Sequence, residues 1–412
     1  MPVFTEKKSG LSIDFSERFR FVAWDNAVTL GRSDNDGSVF TRNRTSVGLK
    51  WNLSEKLEVY FKATNEFRIY IDPEKDFNIH EVFIDNLYLK IRDALKLPVT
   101  LTIGRQNIFL GEGFVILDGN TYDGSRSAYF DALRADIDLK KAGLLTVVKL
   151  WAEKTDELLP VLNPRNQLMN EHDMRGFGIY YQGRIRASAL DLYFISRISD
   201  IREDKSWRLN VDTFGGKITL RKGKKLSLTA ESALQKGESE GRKISSFGGH
   251  FHIDYNLENR LFRKLTLGGV WLTGNNPGSD ELNGWIPPFS RWPKWSESYI
   301  YTLIMEGGIA YWTNYSSLFF SMETRLFRNG SLNTSLHFLG APEKNSFPSP
   351  INGDGKSRGT LLINKLNFRL SKQLTGHFLW EHFVPGDYYW QSADNYHWLR
   401  FELMYQTKTG RK

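Results

Sequence analysis

Residues 56–69, KLEVYFKATNEFRI, alternate between apolar and polar side chains. Leu57 and Val59 fall on one parity, and Glu58 and Lys62 fall on the other. Successive side chains of a β-strand point to opposite faces, so this stretch predicts a strand with one apolar and one charged face. Its length suits a tilted transmembrane strand. Because a charged face cannot meet lipid, it must meet water inside a closed barrel.

About eighteen stretches of this kind follow one another along the chain. The predicted strands are 11–24, 39–51, 56–69, 80–92, 97–107, 129–139, 143–154, 173–183, 187–199, 208–221, 225–236, 243–256, 262–273, 314–328, 331–341, 357–371, 373–384 and 395–407. Short connections alternate with long ones, as in barrels with short periplasmic turns and long extracellular loops. The sequence therefore predicts one domain over residues 1–412, an all-β, antiparallel, up-and-down transmembrane barrel in a bacterial outer membrane.

The longest connection, residues 274–313, is rich in proline, which cannot donate ladder hydrogen bonds in a central strand. Residues 298–312 could form one more strand, but an odd number of strands would result, so they are assigned to the loop. Loops of this length are usually functional, so we expect either a lid or a constriction of the pore.

The composition agrees with a barrel but leaves an alternative open. Mean hydropathy is -0.42 and no apolar stretch reaches about 18 residues, which argues against a transmembrane helix. Aromatic residues make up 14%, as the girdles of a barrel require. A soluble β-rich glycan-binding protein or polysaccharide-acting enzyme would show the same excess. The first ten residues lack the apolar core of a signal peptide, so mature numbering is expected.

Nothing in the sequence predicts catalysis. Residues 237–241 match the G-x-S-x-G pattern but lie in a polar hairpin, without the strand–turn–helix context of a nucleophile elbow. The chain has no cysteine, and its eight histidines show no ligand spacing. The net charge of +8 is spread among strands, which does not favour nucleic acid as a partner. We therefore expect that the protein is not an enzyme and that it binds neither a cofactor nor a metal ion.

The polar parity of several strands carries basic residues that would meet on the lumen wall. The lumen candidates on these faces are Arg18, Arg20, Arg42, Arg44, Lys62, Glu66, Arg134 and Asp136. Rings of Arg and Lys select anions in pores. Arginine–carboxylate ladders also brace the inside of large barrels, and both roles are expected of this patch.

Several short motifs, in order along the chain, resemble the alginate-export family of outer-membrane barrels. They are 104–106 (GRQ), 111–113 (GEG), 130–134 (FDALR), 231–237 (ESALQKG), 274–280 (GNNPGSD) and 380–388 (WEHFVPGDY). The resemblance implies an eighteen-stranded barrel with an electropositive constriction that passes an anionic polysaccharide outward, with periplasmic export partners. It also implies that Arg105 and Arg134 belong to the lumen, and Asp131 and Glu231 complete the candidates.

The main functional expectation is thus a channel for anionic or saccharide-like solutes with an arginine-lined lumen. The alternative is a general diffusion porin without polymer specificity.

Arg105 shares the parity of Leu101 and Ile103, and Asp131 that of Leu133. A charge on an apolar face is costly in lipid unless it leaves the lipid or pairs. We therefore expect Arg105 and Asp131 to sit at the extracellular rim, or to turn inward through bulges, and to interact across the hairpin.

Overall fold

The computed structural model describes residues 10–31, 37–77, 81–118, 127–165, 167–186, 188–201, 208–291, 295–344 and 353–410. Within these residues, eighteen long antiparallel strands form one sheet. They are β1 (Gly10–Asp25), β2 (Ser38–Asn52), β3 (Leu57–Asp72), β4 (Val82–Ile91), β5 (Val99–Gln106), β6 (Phe130–Asp138), β7 (Leu144–Ala152), β8 (Asp173–Ile185), β9 (Ser188–Asp200), β10 (Arg208–Lys222), β11 (Leu226–Ser239), β12 (Arg242–Asn256), β13 (Phe262–Leu272), β14 (Tyr315–Phe327), β15 (Gly330–Gly340), β16 (Ser357–Arg369), β17 (Leu374–Pro385) and β18 (Tyr396–Gly410).

The sheet closes on itself, because β1 pairs with β2 on one side and with β18 on the other. Each predicted strand coincides with an observed strand to within three residues at both ends, so the predicted fold class is confirmed. Residues 298–312 contain no barrel strand. They contain instead the helix α1 (Tyr299–Gly307), so their assignment to the loop is also confirmed.

Connections at one end of the barrel are two to seven residues long, which identifies that end as periplasmic. Those at the other end have seven residues or more, with one exception. Strands β11 and β12 are joined there by Glu240 and Gly241 alone, whose φ angles of 57° and 73° build a tight hairpin turn. The alternation of loop lengths predicted from the sequence therefore fails at this hairpin.

The outer face of the barrel is apolar. Leu234 of β11 faces outward between its cross-strand partners Phe214 and Phe247, and all three are exposed. Such side chains recur on the outward parity of strands around the barrel, including Val47, Leu192, Phe338 and Leu399. Since lipid is the solvent that suits this surface, the barrel spans the outer membrane. Among the described residues, no helix is long and apolar enough to cross a membrane.

Two inserted connections pack inside the extracellular half of the lumen. We call these inserted segments the plug. It comprises residues 107–118 of one connection and residues 285–291 and 295–314 of the other. Within it, Ile116–Leu117 pairs in parallel with Phe289–Ser290. Buried plug side chains such as Val115 and Tyr299 pack in one apolar cluster with inward-facing wall residues such as Leu361. The long loop is thus a constriction of the lumen.

Candidate solute path through the barrel

Six arginines on neighbouring strands form a continuous group on the inner face. This arginine wall comprises Arg18, Arg20, Arg42, Arg44, Arg68 and Arg400, on β1, β2, β3 and β18. Arg18 lies directly opposite Arg44, and Arg20 lies directly opposite Arg42. Like charges at directly opposed positions destabilise a sheet. The arrangement therefore costs stability, which points to a functional reason for it.

Four carboxylates among the described residues partly neutralise the arginine wall. Glu66 lies between 3.5 and 3.9 Å from three of the arginines, Arg18, Arg42 and Arg44. Arg20 contacts Glu402, and Arg400 contacts Glu297 of the plug. The contacts brace β1, β2, β3 and β18 and tie the wall to the plug. Asp85 of β4 also lies 3.8 Å from Arg44. Six cations against these four anions still leave a local excess of positive charge.

The arginines of β1 and β2 are between 3% and 6% exposed, so the wall is packed rather than lined by open water. Charges act more strongly in such a setting, because the effective dielectric constant is lower than in water. Within the described part of the chain, the Nε atoms of Arg18 and Arg42 donate no hydrogen bond.

Lys62 extends this positive region through a carboxylate that sequence reasoning missed. Its Nζ lies 2.7 Å from Asp85 of β4, which also accepts a hydrogen bond from Thr64 at 3.0 Å. The register of β3 and β4 shifts beside Asp85, and this bulge turns the carboxylate into the lumen. The polar pair Asp85-Asn86, which breaks the alternation of β4, was the available signal.

The remaining lumen candidates lie elsewhere on the wall. Arg134 pairs with Asp136 at 2.9 Å within β6, two strands beyond β4. Glu231 of β11 meets His250 of β12 at 3.1 Å, far around the barrel. The structure therefore brings together the lumen candidates of β1, β2 and β3. Three other candidates, Arg134, Asp136 and Glu231, lie apart from that group.

Arg105 and Asp131 form the expected pair, at the rim. Arg105 Nε and Nη2 donate to the two carboxylate oxygens of Asp131 at 3.0 and 3.1 Å, and its guanidinium also lies 3.0 Å from Asp156. No register shift occurs along β5, so both residues keep the outward parity of Ile103 and Leu133. Their predicted interaction is confirmed. Their place among the lumen residues stays a prediction, because both side chains carry the parity of the outer face and Arg105 is buried.

The plug is anchored to the wall by two buried carboxylate contacts. Arg358 of β16 donates to both oxygens of Glu306 on α1, at 2.7 and 2.8 Å, and is 0% exposed. Glu381 of β17 accepts the backbone N–H groups of Glu297 and Ser298, each at 3.0 Å, beside the N-terminus of α1. An anion at a helix N-terminus is stabilising. Sequence reasoning missed these anchors, since their partners are 52 and more than 80 residues apart.

A further contact ties the other part of the plug to β12. Glu112 accepts hydrogen bonds from His252 of β12 at 3.2 and 3.3 Å. Burial raises the pKa of Glu112, but the hydrogen bond and charge of His252 outweigh it and lower the pKa to about 2. A cavity of about 270 Å³ adjoins this contact, lined by Phe114, Trp312 and Phe319. Across the described residues, no group of three or more His, Asp or Glu could hold a metal ion.

The closed barrel with an inserted plug has the fold of outer-membrane porins. Among solved structures, OpdO of Pseudomonas aeruginosa is 12% identical with a TM-score of 0.60 over 98% of both chains. OccAB1 of Acinetobacter baumannii is 10% identical with a TM-score of 0.63, over 98% of this chain and 97% of that one. OccK8 (OprE) of Pseudomonas aeruginosa is 9% identical with a TM-score of 0.62, over 98% and 99%.

At identities this low, the structural similarity establishes the shared fold and nothing finer. No protein-family model matches the chain. No curated protein matches it in sequence either. The resemblance to the alginate-export family is not supported, since the structural neighbours are Occ and Opd proteins. One motif that suggested it, around Asp131, serves here to build a rim ion pair.

Proposed function

We propose that this protein is an outer-membrane channel for small solutes, with a preference for anions, and that it neither exports a polymer nor catalyses a reaction. The observation that carries the proposal is the arginine wall. If the inner face served only stability, we would expect an arginine opposite a carboxylate rather than opposite a second arginine. A pair of opposite charges stabilises neighbouring strands, whereas a pair of like charges destabilises them. A positive wall attracts anions, as rings of Arg and Lys do in anion-selective pores.

The plug argues for the passage of small solutes rather than of a polymer. A polysaccharide chain needs a continuous wide lumen, whereas here the lumen is crossed by packed segments anchored through Arg358 and Glu381. The general diffusion porin therefore fits better than the exporter. The anion preference distinguishes this proposal from a porin without any selectivity.

The test is the reversal potential of the purified channel in planar bilayers under a salt gradient. Arg42→Glu with Arg44→Glu should shift the channel from anion preference toward cation preference. The shift should be largest below about 0.1 M salt, where the Debye length exceeds about 10 Å. Lys140→Glu with Lys141→Glu is the matched control, because it makes the same change of charge in an exposed periplasmic turn.

An unchanged reversal potential in the wall variant would show that solutes do not pass the arginines. An Arg42→Gln, Arg44→Gln variant gives the same comparison with a smaller change of charge, if the reversal hinders folding. Passage of long polyuronate chains through the wild-type channel would contradict the restriction to small solutes.

A further inference from the structure

A cavity lined by aromatic rings lies inside the barrel, between the plug and strands β12 to β14. Its volume is about 270 Å³, and it adjoins the contact of Glu112 with His252. We call it the aromatic cavity. Its rings come from both the plug and the wall, and they are those of Phe114, Trp295, Trp312 and Phe319.

The aromatic cavity has an exposed polar rim and a buried apolar interior. At the rim, the side chains of Glu112 and His252 are 36% and 23% exposed. In the interior, Phe114 and Trp312 are 5% and 6% exposed. Among the described residues that line the cavity, Glu112 is the one carboxylate, and none is Lys or Arg. A mostly apolar lining with a few polar groups is the usual composition of a site for a small organic molecule.

The lining rings are held in place from behind. Three of them stack on rings outside the cavity, and the distances between ring centroids are 5.1 Å for Phe114 on Trp285, 5.2 Å for Trp295 on Tyr315 and 5.0 Å for Phe319 on His337. Aromatic pairs of this kind are stabilising beyond the area that they bury. A lining ring that turned into the cavity would lose its stack, so the cavity is preformed and needs little reordering to bind a ligand.

The size of the cavity and the charge at its rim define the chemical class of the ligand. An apolar cavity of about 150 Å³ accommodates benzene, so a cavity of about 270 Å³ has room for one aromatic ring with a polar substituent. The carboxylate of Glu112 accepts hydrogen bonds from His252 at 3.2 and 3.3 Å, and a carboxylate has about four acceptor sites, so it can also accept from a ligand. Because the pKa of Glu112 is about 2, this carboxylate is ionised at neutral pH and repels a ligand that is itself an anion.

From these observations we infer that the aromatic cavity is a binding site for an uncharged aromatic molecule that carries a hydrogen-bond donor, such as a phenol. The ring of the ligand lies among Phe114, Trp312 and Phe319, and its hydroxyl donates to Glu112. The arginine wall lies on other strands, β1, β2, β3 and β18, and its proposed preference is for anions. The lumen therefore holds two places that select different classes of solute.

Fluorine NMR of the detergent-purified barrel tests this with two probes of similar shape, 4-fluorophenol and 4-fluorobenzoate. Broadening of the fluorine signal reports binding, and detergent micelles without protein correct for partition into detergent. The phenol should bind saturably. The benzoate should bind at least about tenfold more weakly, because it cannot donate to the carboxylate of Glu112 and meets a like charge there.

Two variants locate the site. Val270 lines the cavity from β13, so Val270→Phe places a further ring in it and should remove most of the binding of 4-fluorophenol. Thr219→Phe is the matched control, because it adds a ring to the inner face of β10, where Thr219 meets Thr229, outside the cavity lining. It should bind the phenol as the wild-type protein does.

A third variant tests the charge at the rim. Glu112→Gln keeps the shape of the side chain and should bring the affinities for the two probes closer together. An unchanged ratio of affinities in this variant would contradict the role given to Glu112. Gel migration before and after boiling checks that each variant is folded.

Equal binding of the two probes by the wild-type protein would overturn the inference, even if no variant folded. So would binding of 4-fluorophenol that does not saturate. Undiminished binding to folded Val270→Phe would place the phenol elsewhere and would also overturn it. The proposed anion preference is tested separately, since a reversal potential that does not depend on Arg42 and Arg44 would reject that preference and leave this binding unaffected.

Discussion

Release of α1 from the wall is the most direct perturbation of the plug, and Glu306→Gln should cause it. Glu306 accepts two hydrogen bonds from Arg358, at 2.7 and 2.8 Å, and both side chains are buried. Glutamine keeps the shape of the side chain but removes its charge. The guanidinium of Arg358 is then left buried beside a neutral amide.

The expected cost follows from the burial of the pair. Removing one partner of a buried ion pair costs about 3–5 kcal/mol, because the other charge is left uncompensated. Arg358 keeps hydrogen bonds to the carbonyl of Asn314 and the hydroxyl of Tyr388, at 2.9 and 3.1 Å. The lower end, about 3 kcal/mol, is therefore expected, which raises the population of the released helix about a hundredfold.

Two measurements report the release. Hydrogen exchange of the backbone amides in Tyr299–Gly307 should become about a hundredfold faster, and single-channel conductance should rise or fluctuate as α1 leaves the lumen. Glu343→Gln is the matched control, because its partner Lys356 lies 3.5 Å away and is half exposed. Such surface pairs contribute about 0–1 kcal/mol, so exchange in α1 should not change.

A double variant separates the charge from the contact. Glu306→Leu with Arg358→Met replaces the ion pair by apolar side chains, which is often neutral or stabilising, and should restore protection of the helix. If Glu306→Gln leaves both exchange and conductance at wild-type values, the pair does not hold the plug. The contacts of Glu381 at the start of α1 would then suffice.

Three further results are expected. Leu234→Lys puts a charge on the lipid face and should cost roughly 2–4 kcal/mol in the free energy of unfolding, whereas Thr219→Lys on the inner face should cost much less; equal losses would contradict the assigned parity. Arg105→Ala and Asp131→Ala should be coupled by about 0.5–3 kcal/mol in a double-mutant cycle on protease protection of the loop, and additive effects would exclude the pair. The contact of Glu112 should resist acid, because the pKa of Glu112 is about 2 in the folded protein and about 4.3 in the unfolded chain. Its contribution to stability is therefore present above the unfolded pKa and disappears as the pH falls through about 2. Protease protection of the loop, measured from pH 5 to pH 2, tests this.

The sequence by itself determined the barrel. Alternation of side chains between two faces is a local property of a strand, so the parity of 56–69 already predicted which residues face inward. Strand number, strand bounds and the inward arginines of β1, β2 and β3 follow from this local rule. The rule also placed Arg105 and Asp131 on one face at neighbouring strand ends, which is enough to predict that they meet.

Only the tertiary structure decided what fills the barrel and which charges meet there. The bulge that turns Asp85 inward breaks the alternation on which the sequence argument depends. The tie between Glu306 and Arg358 joins residues that no local pattern relates. Both depend on closure of the sheet, since β1 and β18 must pair before the lumen exists and before the plug has a wall to pack against. Long-range contacts of this kind depend on the geometry of the whole barrel. That geometry cannot be predicted from the sequence of any one segment.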